Sequence, residues 1–183
     1  MLTPVQKTDK PGCTGLYTEA LVAGKTIIVP KHSPVIEAYG YMEEAEALIA
    51  RARMEVPQEL VWRLERIQRA IRLLPAVLAG AIKPEDAVKP VIEAGEGLDE
   101  PGGWSLTGCG PGDPDIVLAS VKLRAAERSI SKAVEEGLVP RDLAEQLSAI
   151  ITMISYTLYT IHWKLCSIHG GVTARESRGL LAN

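Results

Sequence analysis

Arg124, Glu127 and Arg128 have a spacing that places two guanidinium groups and a carboxylate on one face of a helix. Guanidinium groups are permanently charged planar forks, and their geometry suits the oxygens of a phosphate group. Glu127 could hold one arginine by an ion pair and leave the other for a ligand. An exposed salt-bridge face is the other interpretation, because such pairs are common on helix surfaces. The segment therefore predicts either a phosphate-binding patch or an exposed salt-bridge face.

A second candidate for phosphate binding lies near the N-terminus, in the segment KTDKPGCTGLY of residues 7–17. Glycines accompanied by lysine and threonine can surround a phosphate group with backbone N–H donors. The segment is not a Walker A motif, which requires the pattern G-x-x-x-x-G-K-[ST]. A turn-rich terminus without a ligand is the alternative interpretation.

His162, Cys166 and His169 recur at helical spacing near the C-terminus and could form a metal-binding face. No fourth ligand is evident in the sequence, and His169 falls at the expected end of the helix. We therefore expect no metal site, with the cations placed instead to favour the helix C-terminus.

The composition is that of one globular domain. The chain has 183 residues, of which 46% are hydrophobic and 23% charged, and its net charge is −3. A mildly acidic balance argues against a general nucleic-acid binder, which normally carries a basic excess. Phenylalanine is absent, so the core must consist of Leu, Ile, Val and Ala, which favours helices over a β-sandwich.

The three cysteines, Cys13, Cys109 and Cys166, are widely spaced and odd in number. This pattern favours free thiols in a reducing compartment over a disulfide framework. The N-terminus is polar and does not resemble a signal peptide. We therefore expect a cytoplasmic protein.

Residues 147–163 contain no Lys, Arg, Asp or Glu. A membrane span usually needs about 20 strongly apolar residues, and serine and threonine dilute this segment. We expect a central bundle helix and no membrane association.

The positions of proline, glycine and apolar residues predict five helices, at about 34–54, 57–80, 84–96, 113–136 and 140–170. Ser33 and Pro34 form a start signal, whereas Pro75 predicts a kink or local break. Residues 97–114 form a long loop of the kind that is often functional. The prediction is an all-α five-helix up-and-down bundle in one domain of residues 1–183, with an N-terminal arm (1–32), the bundle (33–170) and a flexible tail (171–183).

Gly40 falls inside the first predicted helix, where glycine is unfavourable by about 1 kcal/mol relative to alanine. This position suggests that another group, either from the protein or from a ligand, packs closely against the helix.

Several segments occur in an order and at spacings typical of one family. They are residues 8–17, IEAYGYMEEAEA at 36–47, Leu64 with Ile67 and Gln68, WSLTGCG at 104–110, RAAER at 124–128, and residues 143–152. This series resembles the PduO-type ATP:cob(I)alamin adenosyltransferases (corrinoid adenosyltransferases). The family's fold is a five-helix bundle assembled as a homotrimer, which agrees with the helices predicted above.

The resemblance implies an ATP site between neighbouring subunits. On the N-terminal loop the matching residues are Thr8, Lys10, Gly12, Thr14 and Gly15, and on the helix they are Arg124, Glu127 and Arg128. It also implies that Arg128 pairs with Glu43 across the subunit interface. Trp104 is a candidate wall of the corrinoid pocket, with a loop-anchoring core position as the equal alternative.

The reaction that the resemblance implies is transfer of the 5′-deoxyadenosyl group of ATP to cob(I)alamin, with release of triphosphate. The protein must align the nucleophile with the carbon and stabilise charge on the leaving group, and Mg²⁺ would assist. An adenosylcobalamin-dependent enzyme is a possible acceptor of the product.

Some positions depart from the family's pattern. Family cations or amides align with Ser120, Glu145 and Gln146, a family aspartate aligns with Ala149, and Pro11 interrupts the phosphate loop. These departures favour an alternative, a non-catalytic helical trimer that binds a corrinoid or nucleotide; a purely structural trimer is a third hypothesis.

Overall fold

The computed structural model describes residues 15–171, which form five α-helices and one two-stranded sheet. The elements are β1 (Tyr17–Val22), β2 (Lys25–Pro30), α1 (Pro34–Ala52), α2 (Gln58–Ala79), α3 (Pro84–Gly95), α4 (Asp113–Glu135) and α5 (Arg141–His169). The predicted all-α class is therefore confirmed. Residues 172–183, which include nearly all of the predicted tail, lie outside the described part of the chain.

The helices begin and end at the signals in the sequence. The Ser33 hydroxyl accepts the Val35 N–H at 3.3 Å at the start of α1, and Pro34 occupies the first turn. Gly80 and Gly170 follow α2 and α5 in the left-handed conformation, with φ of 74° and 69°. These local signals determine where the helices begin and end.

The local break predicted at Pro75 is wrong, because α2 continues through it to Ala79. Leu74, Val77 and Leu78 are buried on either side of Pro75. Their burial in the core stabilises the helix against the loss of one backbone hydrogen bond.

Helix α4 packs against both α1 and α5. Both helices carry buried alanines at every seventh position: Ala38, Ala45 and Ala52 on α1, and Ala119, Ala126 and Ala133 on α4. Small side chains let the two helices approach closely. A bidentate ion pair between Arg51 and Asp115 adds a polar link between the same helices.

The sequence analysis missed the hairpin. Residues 1–32 were expected to form an extended, turn-rich arm, with a short strand or extended segment possible at 25–30. In the structure β1 pairs antiparallel with β2 through a two-residue turn. Ala23 and Gly24 both have positive φ, and their N–H groups donate to the carbonyls of Leu78 and Ala79 at 3.0 and 2.7 Å. The turn is thus fastened to the end of α2, a long-range contact that no local pattern could reveal.

The uncharged segment 147–163 lies within α5, where Leu147, Ile151, Ile154 and Ile161 face the core. None of the helices in residues 15–171 is sufficiently long and apolar to span a membrane. The prediction of a bundle helix is therefore confirmed.

Candidate functional site

A cavity of about 560 Å³ lies between α4 and the first half of α5. Arg124, Glu127 and Arg128 all line it, as their helical spacing predicted. Further lining residues on α5 include Arg141, Glu145 and Ser148. The cavity therefore concentrates guanidinium groups beside carboxylates.

Glu127 does not hold either arginine of its own helix. Its carboxylate instead accepts a hydrogen bond from the hydroxyl of Ser148 on α5. Among residues 15–171, neither Arg124 nor Arg128 forms an ion pair, and both side chains are exposed. The predicted Glu127–arginine pair is wrong within one chain, and both guanidiniums keep their donors for other groups.

Arg141 is a cavity residue that the sequence analysis did not identify. It is the first residue of α5, and Glu145 lies one helical turn further on. Arg141 adds a third guanidinium group to the first cavity. Ser120 and Gln146, which align with arginines in the family's pattern, carry no charge. Its position one turn before Glu145 was the available signal, but the fold was needed to bring α5 against α4.

A second cavity, of about 710 Å³, adjoins the first. Arg124 and Glu127 line both cavities. Trp104, Tyr156 and Tyr159 give the second cavity an aromatic wall. Trp104 is 80% exposed, so its alternative role as a loop-anchoring core residue is wrong.

The loop that carries Trp104 is fastened to α5. The Tyr159 hydroxyl donates to the carbonyl of Gly103, and a disulfide joins Cys109 to Cys166. The expectation of free thiols is therefore wrong for these cysteines. They are 57 residues apart in sequence, but the fold brings their Cα atoms to 4.7 Å, and Cys13 lies outside the described residues.

A buried hydrogen-bonded chain continues from this loop into α5. Asp113, fully buried, accepts from Nδ1 of His162 and from the N–H groups of Gly108 and Cys109, the last two at 2.6 and 3.1 Å. Burial alone would raise the pKa of Asp113. These donors outweigh the burial, so the pKa of its carboxyl lies below the ordinary value.

The other nitrogen of the imidazole, Nε2 of His162, lies 2.6 Å from the hydroxyl oxygen of Ser105. Asp113 and His162 are 49 residues apart in sequence. Sequence reasoning treated Asp113 only as a helix start and His162 only as part of a weak metal pattern. Nothing in the local sequence of either residue indicated that they form this hydrogen-bonded chain.

The predicted metal pattern is only partly assembled. The potential ligand atoms of His162 and Cys166 lie within 4.8 Å of each other and of Cys109, whereas His169 is not a member of this cluster. The two sulfurs are bonded together, and both imidazole nitrogens have polar partners. The cluster therefore offers no set of three free donors.

A family model described as cobalamin adenosyltransferase matches residues 7–165. The chain belongs to the cobalamin adenosyltransferase family. The matched span includes both cavities and the loop that carries Trp104. A search among curated proteins finds no significant match.

The remaining predicted residues of this cobalamin adenosyltransferase family member have the following positions. Gly15 is exposed at the start of the described chain, whereas Thr8, Lys10, Pro11, Gly12 and Thr14 lie outside it. Ser120 lines the second cavity and Glu145 the first, and Ala149 is exposed on α5. Glu43 is exposed on α1 and, within residues 15–171, has no ion-pair partner.

The close packing expected at Gly40 is not found among residues 15–171. A Cβ atom added there would meet none of the described heavy atoms within 4 Å.

Proposed function

We propose that the protein is a PduO-type ATP:cob(I)alamin adenosyltransferase, which transfers the 5′-deoxyadenosyl group of ATP to the cobalt of a corrinoid and releases triphosphate. The observation that carries the proposal is the pair of adjoining cavities with Arg124 and Glu127 in the wall of both. One cavity is rich in guanidinium groups and the other in aromatic rings. Two substrates placed there would meet at Arg124.

The first cavity is the proposed site of the triphosphate. Arg124, Arg128 and Arg141 present planar donors that suit phosphate oxygens. Glu135 and Glu145 line the same cavity and would repel a polyanion, so Mg²⁺ between carboxylate and phosphate is part of the proposal. We propose that the N-terminal loop completes the site between neighbouring subunits, through Thr8, Lys10, Gly12, Thr14 and Gly15.

The second cavity is the proposed corrinoid site, with Trp104 and its neighbouring tyrosines against the macrocycle. In the reaction, the cobalt electron pair attacks the 5′ carbon of ATP. The cobalt–carbon bond forms as the bond from that carbon to the triphosphate oxygen breaks. No side chain needs to transfer a proton, so the protein acts by alignment and by stabilising charge on the triphosphate.

A homotrimer is also part of the proposal, with Arg128 paired to the acid on α1 of the next subunit. Arg128 and Glu43 are both exposed, and neither forms an ion pair within the described chain. Gly40 lies one turn before Glu43, and space is open beside it. The same face of α1 therefore offers both a charge and room for a partner.

Reversing either charge should weaken the trimer, and reversing both should restore it. We expect Arg128→Glu and Glu43→Arg each to shift the protein toward smaller species, because each places like charges together at the interface. The double variant recovers the attraction. Sedimentation velocity at matched concentrations measures this, with Glu85→Arg, the same charge reversal at an exposed position on α3, as the control. Independent, additive effects of the two changes would contradict the pairing.

The alternative is a non-catalytic trimer that binds a corrinoid or nucleotide and delivers adenosylcobalamin to an enzyme that uses it. The observation that favours it is the acidic content of the first cavity, where Glu127, Glu135 and Glu145 equal the arginines in number. Replacement of family cations and acids by Ser120 and Ala149 points the same way.

Titration calorimetry with ATP in the presence and absence of Mg²⁺ tests the nucleotide-binding part of the proposal. We expect ATP to bind with Mg²⁺ and much more weakly without it, because the metal offsets repulsion by the carboxylates. Glu145→Gln should reduce the dependence on Mg²⁺. Absence of ATP binding under both conditions would reject the adenosyltransferase proposal.

A further inference from the structure

The hydrogen-bonded chain of Ser105, His162 and Asp113 has no role in the adenosyl transfer proposed above, because that reaction needs no proton transfer. Ser105 and His162 both line the second cavity, and Asp113 lies fully buried behind the imidazole. Buried polar groups in such a row need a structural or chemical reason. Their order is that of the catalytic triad of serine hydrolases, which is recognised by geometry and not by position in the sequence.

The hydrogen bonds determine where each proton of the chain lies. The pKa of Asp113 is below its ordinary value, so this residue is a carboxylate and can only accept. Nδ1 of His162 must therefore donate to it, and in the neutral imidazole Nε2 carries the lone pair. The hydroxyl oxygen of Ser105 lies 2.6 Å from Nε2 and donates to that lone pair. His162 is thus oriented as a general base for Ser105.

The loop that carries Ser105 is fastened to α5 on both sides of this residue. Two residues earlier, the carbonyl of Gly103 accepts a hydrogen bond from the Tyr159 hydroxyl, and four residues later, Cys109 is bonded to Cys166. The same helix carries the imidazole. The serine and its base are therefore held in fixed positions relative to each other, as nucleophilic catalysis requires.

The surroundings of the chain suit a substrate with an apolar or aromatic group. Trp104 and Tyr159 belong to the aromatic wall of the same cavity, which has a volume of about 710 Å³. His162 and Arg124 also line a smaller cleft of about 60 Å³. A guanidinium group is therefore available to stabilise the oxyanion that forms when a nucleophile attacks a carbonyl group.

We propose that Ser105 is a catalytic nucleophile in a second activity of this protein, the hydrolysis of carboxylic esters of apolar or aromatic groups. The serine oxygen attacks the carbonyl carbon as its proton passes to Nε2 of His162. The ester C–O bond then breaks, the alcohol leaves with that proton, and the acyl group remains on Ser105. Water attacks the acyl carbon in the same way, which releases the carboxylic acid and returns a proton to the serine oxygen. Asp113 is a positioning residue that keeps the imidazole in the required tautomer.

Hydrolysis of p-nitrophenyl butyrate by the protein tests the proposal. We expect saturable release of p-nitrophenol, and Ser105→Ala and His162→Gln should each lower kcat/KM by at least about 1000-fold. Ser167→Ala removes an exposed serine from α5 and should leave hydrolysis unchanged. The assay contains neither ATP nor a corrinoid, so its failure would be distinct from a failure of the proposed adenosyl transfer.

A fluorophosphonate identifies the nucleophile directly, because its phosphorus bonds to an activated serine oxygen with loss of fluoride. We expect the label on Ser105, located by peptide mass spectrometry, together with loss of ester hydrolysis. Asp113→Asn keeps the shape of the side chain but allows the imidazole its other tautomer. In that variant we expect kcat to fall by about 10⁴-fold with little change in KM, a split that a merely structural role would not produce.

Ester hydrolysis that survives Ser105→Ala, or absence of label from Ser105 in the folded wild-type protein, would overturn the proposal. The chain would then serve only to anchor the loop. This decision does not depend on the folding of Asp113→Asn, because Ser105→Ala removes one hydroxyl group from a partly exposed residue and keeps the buried pair of His162 and Asp113. Thermal unfolding of each variant verifies that it is folded.

Discussion

Arg124→Ala is expected to lower the kcat/KM for adenosyl transfer by about 100- to 1000-fold, the usual loss when one positioned donor to developing negative charge is removed. Arg124 is exposed and makes no ion pair within residues 15–171. The melting temperature should therefore change little. Steady-state kinetics and thermal unfolding of the same preparation measure both effects.

Two further variants sharpen this prediction. Arg124→Lys keeps the charge but loses the planar fork, so we expect it to recover only part of the lost activity. Arg72→Ala removes an exposed arginine from α2, away from both cavities, and should leave transfer unchanged. If Arg124→Ala lowered stability without affecting ATP affinity or transfer, Arg124 would have a structural role only. The proposal that both substrates meet at Arg124 would then be wrong.

Asp113→Ala is expected to destabilise the protein by at least about 3 kcal/mol, because three buried donors lose their acceptor at about 1–3 kcal/mol each. The variant removes the acceptor of the His162 imidazole and of the N–H groups of Gly108 and Cys109. Denaturant unfolding at neutral pH measures the loss. Asp99→Ala, at an exposed position of the long loop, should change the free energy of unfolding by no more than about 0.5 kcal/mol.

The same carboxylate gives stability a predictable pH dependence. The pKa of Asp113 is lower in the folded protein than in the unfolded chain. Its contribution to stability is therefore fully present above the unfolded pKa of about 3.9 and is lost as the pH falls through the folded pKa. We expect this acid-dependent part to be missing from Asp113→Ala. Equal pH slopes for the two proteins below about pH 4 would show that Asp113 is not held as a carboxylate.

Local signals were sufficient to predict the helices. Helix ends are marked by Ser33 with Pro34, by Gly80 and by Gly170. The interactions that stabilise these ends involve residues only a few positions away, and the helices of the structure begin or end there. The shared cavity face of Arg124, Glu127 and Arg128 follows from the same helical geometry. These features depend on residues that are close in sequence, so a single sequence is sufficient to predict them.

The rest depends on distant parts of the chain. The hairpin turn is stabilised by the carbonyls at the end of α2, and Arg141 joins the first cavity only because α5 packs on α4. The pairing of Cys109 with Cys166 contradicts the interpretation drawn from an odd cysteine count. Packing alone determines which of these residues meet.

The claim that the two adjoining cavities hold ATP and a corrinoid for direct transfer is tested by a single-turnover reaction. Protein, ATP and Mg²⁺ are mixed with chemically reduced cob(I)alamin under anaerobic conditions, and adenosylcobalamin and triphosphate are quantified from the same quench. The account predicts equal amounts of the two products, and neither from Arg124→Ala on the same timescale. Binding of both substrates by the wild-type protein with no adenosylcobalamin formed would contradict it and favour the non-catalytic trimer.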